Sequence, residues 1–265
     1  MNYDPTDYRL KLERLGIKHL LPIDRIIYKY TSYETALKII ETNSLKFSPP
    51  KDFNDPFDLT TDLIGKSYTH SDLRDWLKSI PNLSTDDKKK IFDETKANPK
   101  KIKDMFDKAL DQNKDLFGIS CFSKTYQNVL MWSHYANKHS GVCLGFNIMP
   151  VDPSKEFALL EVNYVNEIKP LNYFKNQSTV FLYWIFTKSD IWSYEEEVRA
   201  VHMSRNGLIN FDYNCLKEIH FGLRTSDQEV KYLQNKIADL GYSVGRFTKM
   251  EINPSTFRLK SKELI

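Results

Sequence analysis

The sequence predicts an α+β fold built on a mixed or antiparallel β-sheet that carries a helical insertion. Strand-like apolar runs dominate the second half of the chain, and helices interrupt them irregularly instead of in a regular β-α-β alternation. A charged stretch with helical periodicity, residues 66–116, separates these runs from the first strands. We therefore expect an N-terminal arm over residues 1–24 and a single domain over residues 25–265 that contains the insertion.

The composition supports a folded core and narrows the class of protein. Of the 265 residues, 41% are hydrophobic and 13% are aromatic, which is enough to bury a sizeable core. The net charge of +3 does not by itself indicate a nucleic-acid-binding protein. No C-x-x-C spacing marks a zinc or redox site, no signal-peptide core is evident, and no apolar run could span a bilayer. We expect a cytoplasmic protein with no membrane partner.

The first elements are predicted as strand, helix and strand. Residues 26–30 form an apolar and aromatic run that is typical of a strand. The T-x-x-E pattern of Thr31 and Glu34 predicts a capping box that opens the following helix. Asn43 is suited to end that helix, and residues 45–47 indicate a second short strand.

The remaining elements follow from the same periodicities. Proline, asparagine and aspartate at residues 48–58 predict a rigid, irregular loop. Within the insertion we expect helices over residues 71–79, from residue 84, and over residues 99–113. Further strands are predicted at residues 118–123, 141–148, 158–165, 195–203, 218–223 and 243–248. Further helices are predicted at residues 127–137, 178–188 and 226–240.

The segment 118–146 is the most informative candidate for a site. It places Ser123, Trp132, His134 and Tyr135 between two strand-like runs, and a segment needed only for packing rarely carries so many polar and aromatic groups. We expect these four side chains to line a pocket. A nucleophile pair of Cys121 and His134 has no supporting sequence signature.

Metal binding is not predicted from this segment. His134 and His139 are five positions apart, whereas two metal ligands on one helix face are four apart. No third ligand is evident in the sequence, so we expect no metal.

The run IWSYEEEVRAV at residues 191–201 carries a row of charges. In a strand, Glu195, Glu197 and Arg199 would share one face. The two carboxylates repel each other, and Arg199 would counter that repulsion and keep both ionised. Such a row can bind a ribose diol, a cation or a developing positive charge. The alternative is a solvent-facing strand with a surface ion pair.

Two earlier motifs could also contact a ligand. In the strand containing Tyr28, Lys29 and Tyr30, the tyrosines would share a face and could stack on a base, while Lys29 could meet a phosphate. Asn54 and Asp55 precede a proline, which predicts a fixed Asx turn whose Asp55 could meet a ligand or an arginine. Core aromatics and a structural turn are the alternatives for these two motifs.

The ordered set of motifs resembles a known bacterial family. In order along the chain occur YKY, LKFSPPKDFNDPFD, CFS, LMWSHYANKHSGVCLGF and WSYEEEVR, and the match spans roughly residues 28–222. They resemble the family catalogued as domain of unknown function 2971, for which no activity is settled.

The motif order is also similar, more loosely, to the ADP-ribosyltransferase architecture. Those enzymes use a basic or histidine residue on an early strand, a Ser, Thr or Tyr in the middle, and a late catalytic Glu, sometimes as E-x-E. By this resemblance Lys29 takes the early position, which is a departure from Arg or His, and Ser123 takes the middle one. Glu195 and Glu197 form the E-x-E motif.

The resemblance implies an ADP-ribosyltransferase-like sheet and NAD as substrate. Glu197 would stabilise the positive charge that develops on the ribose, and Glu195 would orient or deprotonate an acceptor. The acceptor would be a protein or nucleic acid, and by analogy the setting would be a toxin or phage defence. The residues expected to contact NAD are Tyr28, Lys29, Tyr30, Asn54, Asp55, Ser123, Trp132, His134, Tyr135 and Arg199.

Two other functions fit the sequence. A non-catalytic nucleotide- or nucleic-acid-binding module would use the lysines of residues 88–103, although acidic residues interleave with them. A metal-dependent hydrolase or nuclease would use Asp55, His134 and a glutamate of residues 195–197.

Overall fold

The computed structural model describes residues 25–264 except residues 115, 149–150, 153–156 and 178. The predicted arm over residues 1–24 lies outside this part of the chain. The strands are β1 (Ile27–Thr31), β2 (Ser44–Phe47), β3 (Ile64–Gly65), β4 (Gly118–Ser123), β5 (Val142–Phe146), β6 (Val151–Asp152), β7 (Phe157–Glu161), β8 (Asn163–Val165), β9 (Leu171–Asn172), β10 (Thr187–Ser189), β11 (Glu197–His202), β12 (Gly207–Asn210), β13 (Leu216–Phe221), β14 (Arg246–Ile252) and β15 (Leu259–Glu263).

Helices connect these strands at irregular intervals. The α-helices are α1 (Tyr33–Thr42), α2 (His70–Ser79), α3 (Thr85–Ala97), α4 (Pro99–Asn113), α5 (Val129–His134), α6 (Val180–Phe186) and α7 (Asp227–Asp239). Short 3-10 helices occupy Pro50–Asp52, Thr61–Leu63, Asp190–Glu195 and Tyr213–Cys215. None of the helices in the described ranges combines the length and the apolar character needed to cross a bilayer.

A nine-stranded sheet with the order β15-β14-β13-β5-β1-β4-β11-β7-β6 organises the chain. Its neighbouring strands run antiparallel except β13 and β14, which run parallel and are joined through α7. Antiparallel neighbours need only short connections, whereas a parallel pair needs a crossover. The predicted α+β class with a mixed, largely antiparallel sheet is therefore confirmed.

Apolar side chains cover both faces of the sheet. On one face α1 and α7 pack on side chains such as Leu144 and Val198. On the opposite face α5 packs near β1 and β5, and α6 packs near β4 and β11. Alternation along each strand sends Val198 to the first face and Val201 to the second. Glu197 and Arg199, which alternate with Val198, therefore point to the second face, between α5 and α6.

The insertion consists of the three predicted helices. Their apolar side chains form a separate cluster around Leu73, Leu77 and Ile102 that packs on Phe174, next to β9. Helix α4 has the predicted bounds because Asn98 caps it and Pro99 occupies its first turn.

Two local predictions at helix ends were wrong. The cap of α1 is Ser32, whose side chain accepts a hydrogen bond from the Thr35 N–H, while Thr31 ends β1. Serine is a better N-cap than threonine. Because Ser32 caps the helix in place of Thr31, the capping box predicted for Thr31 and Glu34 does not form. Helix α5 is shorter than predicted because Asn128 caps it and residues 137–139 have left-handed backbone conformations.

A seam divides the sheet between β1 and β4. Only one residue pair, Tyr28 with Ser123, joins these two strands, whereas six pairs join β4 to β11. Farther along β4, Ser48 takes the place of β1 and forms an isolated bridge with Ile119. Strands β1 and β4 diverge beyond the pair of Tyr28 with Ser123, so a gap opens beside residues 120–122 of β4.

Candidate active site

A cavity of about 270 Å³ occupies the gap between β1 and β4. Consecutive residues of both strands line it, although alternate side chains of a strand normally point to opposite faces. Because the two strands diverge here, side chains of both faces can border the space between them. The lining residues are Tyr28, Lys29, Tyr30, Lys46, Ser48, Asp52, Phe53, Asn54, Asp58, Ile119, Ser120, Cys121, Phe122, Met131, Tyr135, Lys188, Glu195 and Glu197.

Both glutamates of the E-x-E motif reach this cavity, but not as members of one strand. Glu195 ends a 3-10 helix, Glu196 has a left-handed backbone with φ of 44°, and β11 begins only at Glu197. The expectation of a strand over residues 195–203 was therefore wrong at its start. The left-handed residue turns the chain so that both buried carboxylates contact Lys188. Left-handed non-glycine residues cost about 1 kcal/mol or more and gather at functional sites.

A buried charge cluster surrounds the two carboxylates. Lys188 Nζ lies 2.6 Å from Glu195 Oε2 and 3.0 Å from Glu197 Oε2. Arg199 donates to Glu197 from Nε at 2.8 Å and to Asp58 from its two terminal nitrogens at 2.9 and 2.6 Å. Arg199 is 0% exposed and Glu197 is 3% exposed. A solvent-facing strand with a surface ion pair is therefore not what the chain forms.

The cations determine the charge state of Glu197. Burial alone would raise the pKa of Glu197, but the charges of Arg199 and Lys188 outweigh it and lower the pKa to about 2. Glu197 is thus ionised at neutral pH, in a site from which water is largely excluded. Three carboxylates, counting Asp58, face two cations, Lys188 and Arg199, which leaves one formal negative charge in the cluster.

Lys29 is the cation on the other side of the seam. Its Nζ donates to Ser120 Oγ at 3.0 Å and to the Cys121 carbonyl at 3.1 Å, and it lies 5.1 Å from the Phe122 ring centre. Within the described residues no carboxylate forms an ion pair with it. Burial lowers the pKa of Lys29, and the charge of Glu197 only partly offsets this. Lys29 is therefore a desolvated amine whose hydrogen-bond partners are neutral.

Hydrogen bonds from tyrosine hydroxyls hold the side chains at the remaining walls of the cavity. Tyr135 donates to Glu195 Oε1 at 2.6 Å, and this carboxylate now has partners on both oxygens. Tyr28 donates to Glu218 Oε2 at 3.1 Å, and Tyr30 donates to the Thr125 carbonyl at 2.9 Å. The two tyrosines share one face of β1 and Lys29 takes the other, as the sequence predicts. Their hydroxyls are occupied, so their rings are what they offer to a ligand.

Several predicted ligand contacts lie elsewhere. Ser123 is fully buried and accepts from the Thr125 N–H, and Trp132 is fully buried and donates to the Tyr126 carbonyl. His134 is exposed and its Nδ1 lies 3.3 Å from the Tyr194 hydroxyl. None of these three lines the cavity. Their packing and turn contacts account for them without a ligand.

The Asn54-Asp55 turn forms as predicted. Asp55 Oδ1 accepts from the Phe57 N–H at 2.9 Å, which is an Asx turn. Asn54 is exposed at the cavity wall, whereas Asp55 is buried and does not line it. Asp58, three residues later, makes the contact with arginine that was expected of Asp55.

Two residues of the charge cluster were not among the sequence candidates. Lys188 follows α6 with no motif around it, and Asp58 is 141 positions from its partner Arg199. Asp58 belongs to the FNDPFD motif, so its membership of that motif was the available signal. Nothing in the local pattern singles out Lys188.

Across the described ranges, no group of three His, Cys, Asp or Glu side chains has a geometry that could hold a metal ion. The carboxylates of the charge cluster are directed instead at Lys188 and Arg199. Of the residues named for a hydrolase or nuclease, Asp55 and His134 do not line the cavity, whereas Glu195 and Glu197 do.

Comparison with known proteins agrees with one of the two resemblances. Residues 131–200 match a family described as a protein of unknown function, DUF2971. The predicted resemblance to that family is therefore confirmed over this segment, which runs from α5 into β11 and contains Tyr135, Lys188, Glu195, Glu197 and Arg199. No curated protein matches the chain.

Proposed function

We propose that this protein, whose residues 131–200 match a family without a known activity, is an ADP-ribosyltransferase-like enzyme that consumes NAD. The nine-stranded sheet with a ligand-sized gap at its centre would be an ADP-ribosyltransferase-like core. NAD would bind at the seam between β1 and β4 and would donate its ADP-ribose to a macromolecular acceptor.

The observation that carries the proposal is the buried, ionised carboxylate of Glu197 at the cavity wall. Breaking the bond between nicotinamide and ribose builds positive charge on the ribose C1′ and its ring oxygen. A fixed carboxylate stabilises that charge most effectively where water is excluded. Arg199 and Lys188 hold Glu197 in one orientation and keep its pKa low, so the carboxylate does not have to lose a proton before it acts.

The proposed reaction is balanced without a cofactor. The C1′–N1 bond breaks and its electron pair goes to nicotinamide, which leaves as a neutral molecule. An oxygen or nitrogen of the acceptor then forms a bond to C1′ and loses its proton. That proton passes to water at the mouth of the cavity, since both oxygens of Glu195 already accept hydrogen bonds, from Tyr135 and Lys188.

The rest of the lining is complementary to NAD. The formal negative charge of the cluster favours the positively charged nicotinamide ring. Lys29 and Lys46 can meet the pyrophosphate, and the rings of Tyr28 and Tyr30 can pack on a ring system. A cavity of about 270 Å³ holds a nucleoside-sized part of NAD, so the rest of the dinucleotide would lie at the mouth.

Thermal unfolding with and without NAD, followed by nicotinamide release, tests the proposal. We expect NAD to raise the Tm and wild type to release nicotinamide, and we expect Glu197→Gln to lose that release by at least about 100-fold. Glu196→Gln is the matched control, because its side chain is exposed and adjacent in sequence. Absence of both a Tm shift and nicotinamide release in wild type would overturn the proposal.

Loss of folding in Glu197→Gln would not leave the proposal undecided. Its far-UV circular dichroism spectrum would report such a loss. Glu197→Asp then replaces it as the test variant, since it keeps the negative charge that pairs with Lys188 and Arg199 and shortens the side chain by one methylene. A folded Glu197→Asp that released nicotinamide at the wild-type rate, with NAD bound as tightly, would place the reaction elsewhere.

A second candidate, a non-catalytic nucleotide-binding module, is favoured by one observation. Both carboxylates of the E-x-E motif already accept hydrogen bonds from buried cations. A cluster whose carboxylates are engaged in this way can hold the loop containing Asp58 against the start of β11 without any catalytic role. This candidate predicts that NAD or another nucleotide raises the Tm without any nicotinamide release.

A further inference from the structure

A second, larger depression lies away from the seam, between the segment after Thr61 and helices α3 and α4. It is an open groove of about 1020 Å³. Enclosed pockets for small molecules usually measure about 300–1,000 Å³. An open groove of this size suits a segment of a polymer better than an enclosed small ligand.

The helices of the insertion place some of its lysines at the groove and pair others with carboxylates outside it. Lys100 and Lys103 are three positions apart on α4 and both line the groove, as does Lys66. Lys101, between them, forms an ion pair with Glu94, which is not a lining residue. Of the mixed run of residues 86–103, Lys100 and Lys103 are thus the charged residues that line the groove, and no carboxylate of the run does.

Two of these lysines carry uncompensated charge. Lys66 forms an ion pair with Asp107, and Asp62 is the carboxylate within the lining. Within the described residues, Lys100 and Lys103 pair with no carboxylate. Both are exposed, so they can reach a ligand at little desolvation cost.

Aromatic rings lie beside these cations. Tyr68 is half-buried and packs on Phe174 with ring centres 5.1 Å apart, and His70 is exposed at the start of α2. Both line the groove. A cationic groove with fixed aromatic rings is the arrangement that holds single-stranded nucleic acid, since lysines meet phosphates and rings stack on bases. An acidic peptide would use the lysines but not the rings.

We propose that this groove binds single-stranded nucleic acid. The binding itself stands on the groove alone. RNA and DNA share the phosphate and base chemistry that the groove recognises, so both are used in the test.

The test is fluorescence anisotropy of a labelled single-stranded RNA and a DNA of the same sequence, titrated with the full chain across salt concentrations. We expect binding that weakens as salt rises. The double variant Lys100→Gln, Lys103→Gln should bind roughly tenfold or more weakly at about 0.1 M salt. The slope of log K against log salt should fall by about 0.7 per lysine. His70→Ala should weaken binding even at high salt, because stacking is not screened.

Lys89→Gln, Lys90→Gln is the matched control, since it removes the same charge from exposed positions of α3 outside the groove. We expect it to bind nearly as wild type does. Equal losses in both double variants, or no binding by wild type, would overturn the inference.

Nicotinamide release in the absence of nucleic acid separates the two proposals. Groove variants that release nicotinamide normally but no longer bind nucleic acid would support both. Groove-dependent binding without any nicotinamide release would retain the groove and remove the enzyme. Nicotinamide release by a wild-type protein that binds no nucleic acid would support the enzyme and overturn the binding groove.

Discussion

Arg199 joins Asp58 through two parallel hydrogen bonds, from its two terminal nitrogens to the two carboxylate oxygens, at 2.9 and 2.6 Å. The same guanidinium also meets Glu197, and it is fully buried. A planar fork can satisfy two carboxylates at once in this way, which a lysine cannot do. Arg199 therefore fixes the loop that contains Asp58 against the start of β11, and both contribute to the cavity wall.

Removal of Arg199 should destabilise the protein strongly. Arg199→Met leaves three buried carboxylates, those of Asp58, Glu195 and Glu197, with Lys188 alone, and breaking a buried ion pair in this manner costs about 3–5 kcal/mol. Urea unfolding measures the loss. Lys78→Met is the control, because its ion pair with Asp75 is exposed and should contribute less than about 1 kcal/mol. Similar free energies of unfolding for the two variants would contradict the assigned role of Arg199.

Glu197 should make stability depend on acidity. Its pKa is about 2 in the folded protein, below its ordinary value of 4.5, so the unfolded chain binds the proton more readily. This contribution is fully present above about pH 5 and is lost as the pH falls towards 2. Burial raises the pKa of Asp58, which acts with the opposite sign, so wild type must be compared with Glu197→Gln. We expect the acid-induced loss of unfolding free energy to be smaller in the variant. Equal acid dependence would show that Glu197 is not held ionised.

Lys29 should also make stability rise with pH, but in the alkaline range and because an unfavourable buried charge is removed. Because burial lowers the pKa of Lys29 in the folded state, the unfolded chain holds that proton more tightly. Stability should therefore rise with pH as the ordinary lysine pKa of 10.5 is approached, since loss of the proton relieves the buried charge. We expect the stability of wild type relative to Lys29→Met to increase between about pH 7 and about pH 10. Denaturant unfolding of both proteins at the two pH values measures it, and a constant difference would refute a desolvated Lys29.

The hydroxyl of Tyr135 should contribute to stability through Glu195. Tyr135→Phe removes a hydrogen bond of 2.6 Å to a buried carboxylate, which typically contributes about 1.5 kcal/mol or more. Urea unfolding of the variant should show that loss. Tyr232→Phe, at a half-exposed tyrosine of α7, should change the free energy of unfolding by less than about 0.5 kcal/mol. A neutral Tyr135→Phe would mean that Glu195 is held by Lys188 alone.

The sequence predicts elements well where the end signals are local. Strand β4 and helix α4 have the predicted bounds because a glycine, a proline and a capping asparagine act within a few residues of the ends. The start of α1 was misplaced because Thr31 and Ser32 both suit the cap, and the pairing of β1 with β5 settles the choice. Strands β12 and β15 were not predicted, because neither has a marked apolar alternation.

The site was predictable in its members more than in its geometry. Glu195, Glu197 and Arg199 were chosen as a row on one strand, yet the left-handed Glu196 brings the first two together by a turn. Lys188 and Asp58 were not predicted as site residues, because their partners are distant in sequence or lie in another element. Ser123 was chosen for a motif position, but its place in the pair with Tyr28 buries it. Spacing along the chain cannot report contacts of this kind.

The single residue pair that joins β1 to β4 has a consequence for local opening. Ladder hydrogen bonds protect backbone amides from exchange with solvent, and protection fails first where cooperative contacts are few. The strands on the two sides of the seam are otherwise tied to different neighbours, β1 to β5 and β4 to β11. A ligand that contacts Lys29 on one side and Glu197 on the other would tie the two halves together. Binding of such a ligand would therefore slow amide exchange in β1 and β4 at the same time, including at residues that the ligand does not contact.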